Sequence, residues 1–197
     1  IIADVFNSYN VSYWLIGGAL LGLIRNQKLL PWDDDLDIGL WMKDKEKVLS
    51  LFEQFNEKGL EITINRYDKI GLHLQDGLNY KIRLLFFDIN KDFAVRVKLD
   101  QSHISKYRLI NFIFGNIIKL TNNCIAKFSG KTNTSDQDSV TNKYRFSIPV
   151  ECFKNLKQIL FYGSYVNVPK IPERYFEYRY GSTWKTPARK WTDYSDI

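Results

Sequence analysis

Apolar residues at positions 1, 2, 5, 6 and 9 predict a short amphipathic helix over residues 1–9. Ser12 to Ile16, β-branched and aromatic, predicts a first strand that ends at Gly17-Gly18, and Ala19 to Asn26 then predicts a helix. From Asp35 to Leu40 polar and apolar residues alternate. In a strand this sends Asp35 and Asp37 to one face and Leu36, Ile38 and Leu40 to the other. Asp44 to Lys58 carries Val48, Leu49, Phe52 and Phe55 at helical spacing, with Gly59 as its C-cap. Leu60 to Asn65, Gly71 to Gln75 and Tyr80 to Phe87 predict strands, separated by turns at Asp68-Lys69 and Asp76-Gly77.

Phe93 to Leu99 predicts another strand, and polar Ser129 to Asp138 an exposed loop. Within that loop Gly130-Lys131-Thr132 matches the end of a Walker A motif. The glycine required earlier falls on Ile125, so the motif is set aside. Glu151 to Ile159 predicts a helix and Phe161 to Val168 a hairpin turning at Gly163. Pro172 to Tyr180 predicts a last helix, started by proline and ended by Gly181. The order helix–strand–helix–strand–helix–strands predicts an α+β fold with a mixed sheet covered by helices on one side. There are no internal repeats and no heptads.

The chain has 197 residues, enough for one domain, and 45% hydrophobic with 15% aromatic residues supplies a core and excludes disorder. A net charge of +6 and a pI near 9.2 suit an anionic substrate such as a nucleotide diphosphate, and equally a nucleic acid. Two cysteines, Cys124 and Cys152, and two histidines are too few for a zinc cluster, and two packed thiols are expected rather than a disulfide. No run of about 18 apolar residues occurs, so no membrane span is expected. The chain opens on Ile1 rather than Met, which leaves open a leader or anchor in a longer parent.

The candidate chemistry lies in the acidic run. Two carboxylates side by side on one strand face repel each other unless a cation lies between them, and Asp35 and Asp37 are therefore candidate ligands for Mg²⁺ or Mn²⁺. Gly17 and Gly18, at the start of a helix, let phosphate oxygens approach backbone N–H groups, and Arg25 extends from the same helix toward such a phosphate or into a surface salt bridge. The tail interleaves Trp184, Lys185, Arg189, Lys190 and Trp191. Such a pattern binds RNA, closes over a nucleotide base or sugar, or pins the tail to the core.

The segments Gly17-Gly18-Ala19-Leu20-Leu21-Gly22-Leu23-Ile24-Arg25 and Leu30-Pro31-Trp32-Asp33-Asp34-Asp35-Leu36-Asp37-Ile38-Gly39 resemble the signature of the LicD/fukutin family. Val168-Pro169, Tyr180-Gly181-Ser182-Thr183-Trp184-Lys185-Thr186-Pro187 and Trp191 resemble its fukutin branch, as does Lys81-Ile82-x-Leu84-Leu85-Phe86-Phe87. The motifs cover both ends and part of the centre. The resemblance implies a single nucleotidyltransferase-like domain over residues 1–197, with a core over 1–90 and an elaborated part over 91–197. It also implies a metal-dependent phosphotransferase that moves a phosphocholine or alditol phosphate group from a CDP-linked donor onto a glycan acceptor.

On that reading Asp35 and Asp37 hold the metal, Gly17, Gly18 and Arg25 cradle the donor, and Trp184 and Lys185 close over it. The family places a third carboxylate two residues after the lysine corresponding to Lys81; this chain has Arg83 there. Asp88, at the end of the same run, is the expected substitute, although its strand parity is opposite to that of position 83. Two alternatives compete: a nucleotidyltransferase acting on RNA or another small acceptor, and a degenerate member that binds a CDP donor or glycan without turnover.

Overall fold

A computed structural model of the protein describes residues 1–33, 35–64, 70–74, 81–97 and 147–187. All of these fall in one compact unit. The elements in chain order are α1 (Ile2–Ser8), β1 (Tyr13–Ile16), α2 (Gly17–Asn26), β2 (Asp35–Trp41), a 3₁₀ turn (Met42–Asp44), α3 (Lys45–Ser50) and α4 (Phe52–Glu57). They continue with β3 (Leu60–Ile64), β4 (Ile70–Leu74), β5 (Lys81–Asn90), β6 (Phe93–Arg96), β7 (Ser147–Pro149), α5 (Glu151–Lys154), β8 (Leu156–Phe161), β9 (Ser164–Pro169) and α6 (Pro172–Tyr180).

Seven of these strands form one mixed sheet in the order β1-β2-β5-β4-β3, with β6 pairing the far half of β5 and β7 pairing β6; β8 and β9 form a separate hairpin. Strands β2 and β5 run parallel, with Asp37 opposite Arg83 and Gly39 opposite Leu85, while the other ladders are antiparallel. Paired residues share a sheet face, so Asp35, Asp37, Arg83 and Phe87 lie on one side together with Trp14.

An aromatic cluster fills that side beyond the acidic pair. Trp14, fully buried, stacks on Phe153 at 4.7 Å between ring centroids and meets Trp41 at 4.8 Å and Phe87 at 5.9 Å. Each such ring contributes roughly 2–3 kcal/mol by leaving water. Phe153 in turn touches Tyr175, which brings α5 and α6 onto this face. Gly39 makes the close approach possible, because a Cβ there would sit 2.4 Å from the Trp14 indole.

The opposite face, carrying Tyr13, Ile38 and Leu40, is covered by α1 and α4. Phe6 meets Tyr13 at 5.3 Å and Phe55 at 5.6 Å. Helices therefore flank the sheet on both sides, not on one as the element order predicts. The reason lies in the alternation of β1: Trp14 and Ile16 feed one core while Tyr13 and Leu15 feed the other, and all four are buried.

Three further elements differ from the sequence expectation. The helix predicted over 44–58 breaks at Leu51 (φ −87°, ψ 2°), whose N–H donates to Val48 O, three residues back, and it continues as α4. The helix predicted over 151–159 ends at Lys154. Asn155 is extended, and Leu156–Phe161 pairs with Ser164–Pro169 through a turn at Tyr162 and Gly163, both at positive φ. Helix α2 begins at Gly17 itself, whose φ of +67° turns the chain directly from strand into helix. The turns expected at Asp68-Lys69 and Asp76-Gly77, the loop over 129–138, and Cys124 lie outside the described residues. Cys152 is a buried free thiol whose pKa burial pushes up.

Candidate functional site

The Asp-x-Asp face of β2 opens into a cleft of about 520 Å³, within the size range of small-molecule sites. Gly17, Gly18 and Arg25 of α2 form one wall, and Asp35, Asp37 and Arg83 lie at its base. Arg179, Tyr180 and Trp184 approach from the C-terminal end of the chain, and Trp32, 66% exposed, stands at the rim. The first and last motifs of the sequence thus meet at one place. They meet because β1 and β2 are neighbours and α6 packs on the same side of the sheet.

Arg83 organises the base of the cleft. Its Nε donates to Asp37 Oδ1 at 2.5 Å, and its Nη2 donates to Asp37 Oδ2 and to Asp35 Oδ1, each at 2.8 Å. The parallel register that sets Asp37 opposite Arg83 aims the guanidinium fork at both carboxylates, a match of planar donor to planar acceptor. Burial alone would lower the Arg83 pKa. The hydrogen bond and charge of Asp37, followed by the charges of Asp35 and Asp33, outweigh it and raise the pKa above its ordinary value. Arg96 of β6 shares this face, and its pKa is lowered, first by burial and then by the charge of Arg83, against a raising influence of Asp37.

Mg²⁺ and Mn²⁺ require several oxygen ligands in near-octahedral array. Both oxygens of Asp37 and one of Asp35 already accept from Arg83. Among the described residues no group of three or more His, Cys, Asp or Glu side chains is gathered as a metal cage. The carboxylate pair as arranged here does not fit a divalent cation.

The expected glycine cradle is also arranged differently. Gly17 N–H donates to the Tyr175 hydroxyl at 3.0 Å, so this amide is used inside the protein. Gly18 is required for a close approach: a Cβ there would lie 1.7 Å from Asp33 Oδ2. Arg25 lines the cleft while its Nε donates to Asn26 Oδ1 at 2.8 Å and its Nη1 to Trp184 O at 3.4 Å. Trp184 lines the cleft and packs on Phe176 at 4.6 Å, so it pins the tail to the core as one of the readings of the tail expects. Lys185 is exposed outside the lining, its ammonium 5.5 Å from the Trp184 ring centroid.

Asp88 is not brought to the cleft. It is exposed, accepts from Ile89 N–H at 2.8 Å, and sits five residues beyond Arg83 along β5, a distance of about 16 Å in a strand. Its opposite parity is not undone by a bulge, since β5 pairs in regular register with β6 from Phe87 to Asn90.

Sequence reasoning missed Arg179, Tyr180 and Asp33 as cleft residues. The usable signal was helical: Tyr175 and Arg179 lie four apart on α6, one turn from each other, so the buried tyrosine fixes the direction of the arginine. Burial chiefly, with the neighbouring charges of Asp33 and Asp37, raises the Tyr180 pKa to about 12 and keeps its phenol protonated; Arg179 opposes the rise.

The sequence profile of the LicD/FKTN/FKRP nucleotidyltransferase domain matches residues 10–171. Human FKTN, a ribitol-5-phosphate transferase, is 26% identical over 189 residues, covering 96% of this chain and 32% of that protein. The lipopolysaccharide cholinephosphotransferase LicD of Haemophilus influenzae is 31% identical over 75 residues, 34% of this chain and 28% of that protein. An uncharacterized protein of Rickettsia typhi is 31% identical over 121 residues, 58% of this chain and 37% of its own length. The chain thus spans about a third of the length of these relatives. Among solved structures, the lincomycin-bound lincosamide antibiotic adenylyltransferase LnuA aligns with a TM-score of 0.44 at 12% identity, covering 89% of this chain and 80% of its own. With the match running from residue 10 to residue 171, the chain belongs to the LicD/FKTN/FKRP nucleotidyltransferase domain family.

Proposed function

We propose that this domain is a glycan phosphotransferase that takes a phosphocholine or alditol phosphate group from a CDP-linked donor. The observation that carries the reading is the joint cleft, in which Arg25, Arg83 and Arg179 from three separate elements line one space of small-molecule size. Guanidiniums are suited to phosphate oxygens by their planar fork. The names of two relatives, a ribitol-5-phosphate transferase and a cholinephosphotransferase, support the same chemistry.

In the reaction, an acceptor hydroxyl oxygen bonds to the phosphorus that carries the alditol or choline, and the bond from that phosphorus to the CMP oxygen breaks. On this reading Arg25 and Arg179 orient the phosphates, and Asp33, which lines the cleft with them, takes the hydroxyl proton. Trp32 at the rim and Trp184 in the wall offer aromatic faces to the base or to a sugar.

The test is CMP release, followed by chromatography, from CDP-ribitol, CDP-glycerol and CDP-choline with a glycan acceptor panel. Acceptor-dependent release from one donor supports the proposal; no binding and no release from any of the three overturns it. A second reading, donor binding without turnover, is favoured by the engagement of Asp35 and Asp37 by Arg83. Saturable donor binding with no CMP release selects it.

A further inference from the structure

We infer that Arg83 is itself the cation of this site: its guanidinium stands where a divalent metal would lie between Asp35 and Asp37, and the cleft takes its anionic ligand without a metal. The ligand half of this statement rests on the donor reading above; the cation half rests on the geometry alone.

Two carboxylates separated by two residues on one strand face lie about 7 Å apart and need a positive charge between them. Arg83 supplies it with three hydrogen bonds at 2.5, 2.8 and 2.8 Å. The group is half-sheltered, with side-chain exposures of 32% for Arg83, 21% for Asp35 and 15% for Asp37. It is therefore screened less than a surface ion pair and holds its geometry better.

A metal entering between the carboxylates has to expel the guanidinium and break its three hydrogen bonds. The positive charge of Arg96, on the same sheet face, adds to the repulsion that an incoming cation meets. On the other side of the balance, one guanidinium leaves the carboxylate pair one charge short of neutral. The negative charge of a ligand must then be met elsewhere, and Arg25 and Arg179 line the cleft for that purpose.

The first test uses Mn²⁺ alone, followed by the loss of its free electron-spin resonance signal. The unaltered protein is expected to show no saturable binding at millimolar Mn²⁺, while Arg83→Asp and Arg83→Gln each gain affinity of about tenfold or more. Arg83→Gln removes the charge but keeps a polar side chain that can still donate to the carboxylates, and carries the comparison if Arg83→Asp does not fold. Tight Mn²⁺ binding by the unaltered protein, or no gain in a folded Arg83→Gln, overturns the cation assignment.

The second test is calorimetry of CDP-ribitol and CDP-choline binding in EDTA and in Mg²⁺. Equal affinity in both supports metal-free binding, and binding that vanishes in EDTA overturns it while leaving the donor reading intact. Absence of binding in both conditions overturns the donor reading, and the Mn²⁺ titration still decides the cation assignment.

Discussion

Gly17 donates its backbone N–H to the hydroxyl of Tyr175 at 3.0 Å, joining two residues 158 positions apart. Tyr175 is fully buried, and Gly17 holds a φ of +67° that a residue with a side chain rarely adopts. Tyr175→Phe removes the acceptor and leaves the amide of this positive-φ turn unpaired. The expected cost is about 1–3 kcal/mol of stability, read as a lower urea midpoint at unchanged slope. An unchanged midpoint would show that the bond contributes nothing to holding the two ends of the chain together.

Two glycines separate site geometry from core packing. Gly18→Ala places a methyl 1.7 Å from Asp33 Oδ2, the end of a cleft side chain that must shift to make room. Ligand affinity is expected to fall about tenfold or more while the melting temperature changes little. Gly39→Ala instead meets the buried Trp14 indole at 2.4 Å, where nothing can move cheaply. That variant is expected to lose about 2 kcal/mol or more by overpacking. Parallel thermal melts and binding titrations of the two variants check the contrast, and a destabilised Gly18→Ala with normal affinity would reverse it.

Much of this was legible in the residues. The alternation Asp35-Leu36-Asp37-Ile38 set the strand and its two faces, and Pro172 and Gly181 bounded the last helix, because local patterning decides those features. Other features needed tertiary knowledge. Leu156–Phe161 contains both helix- and strand-compatible residues, and only pairing with Ser164–Pro169 makes it a strand. That Arg83 stands where the resemblance implies a carboxylate was visible in sequence. Its aim was not, since the β2–β5 register that sets it opposite Asp37 depends on two strands far apart in the chain. Asp88 failed as a substitute for the same reason: the parallel register sets the acidic pair at the start of β2 opposite Lys81 and Arg83, so Asp88, five residues further along β5, lies past the far end of β2.

Alkaline pH should weaken the fold through its buried phenols. Burial raises the Tyr180 pKa to about 12 and raises those of Tyr175 and Tyr13 above 10, so each folded-state phenol holds its proton more tightly than the unfolded chain does. The stabilisation is complete below pH 10 and is lost as pH rises from there through about 12. Urea midpoints measured from pH 8 to about 11.5 should be level at first and then fall steeply. Tyr180→Phe should flatten the fall, because one of the phenols responsible is gone; an identical profile would exclude Tyr180 from the effect.

Asp37→Asn and Asp88→Ala should behave oppositely although both remove a carboxylate near the same sheet. Asp37 accepts two of the three hydrogen bonds of Arg83 and is 15% exposed. Its neutral replacement leaves the guanidinium with a weaker partner at the base of the cleft. An expected loss of about 2 kcal/mol reflects a half-sheltered pair, smaller than the cost of breaking a fully buried one. The freed guanidinium also changes the field that a donor phosphate meets, so turnover or donor affinity should drop about a hundredfold. Asp35→Asn, which removes one contact rather than two, should show the same effects in smaller measure. Asp88 is exposed, bonds only to the neighbouring Ile89 amide among the contacts described, and lies outside the cleft lining. Asp88→Ala should therefore stay within about 0.5 kcal/mol of the parent and keep its donor affinity. Denaturation and donor calorimetry on the three variants decide the matter, and a folded Asp88→Ala that no longer binds donor would return the missing carboxylate role to Asp88.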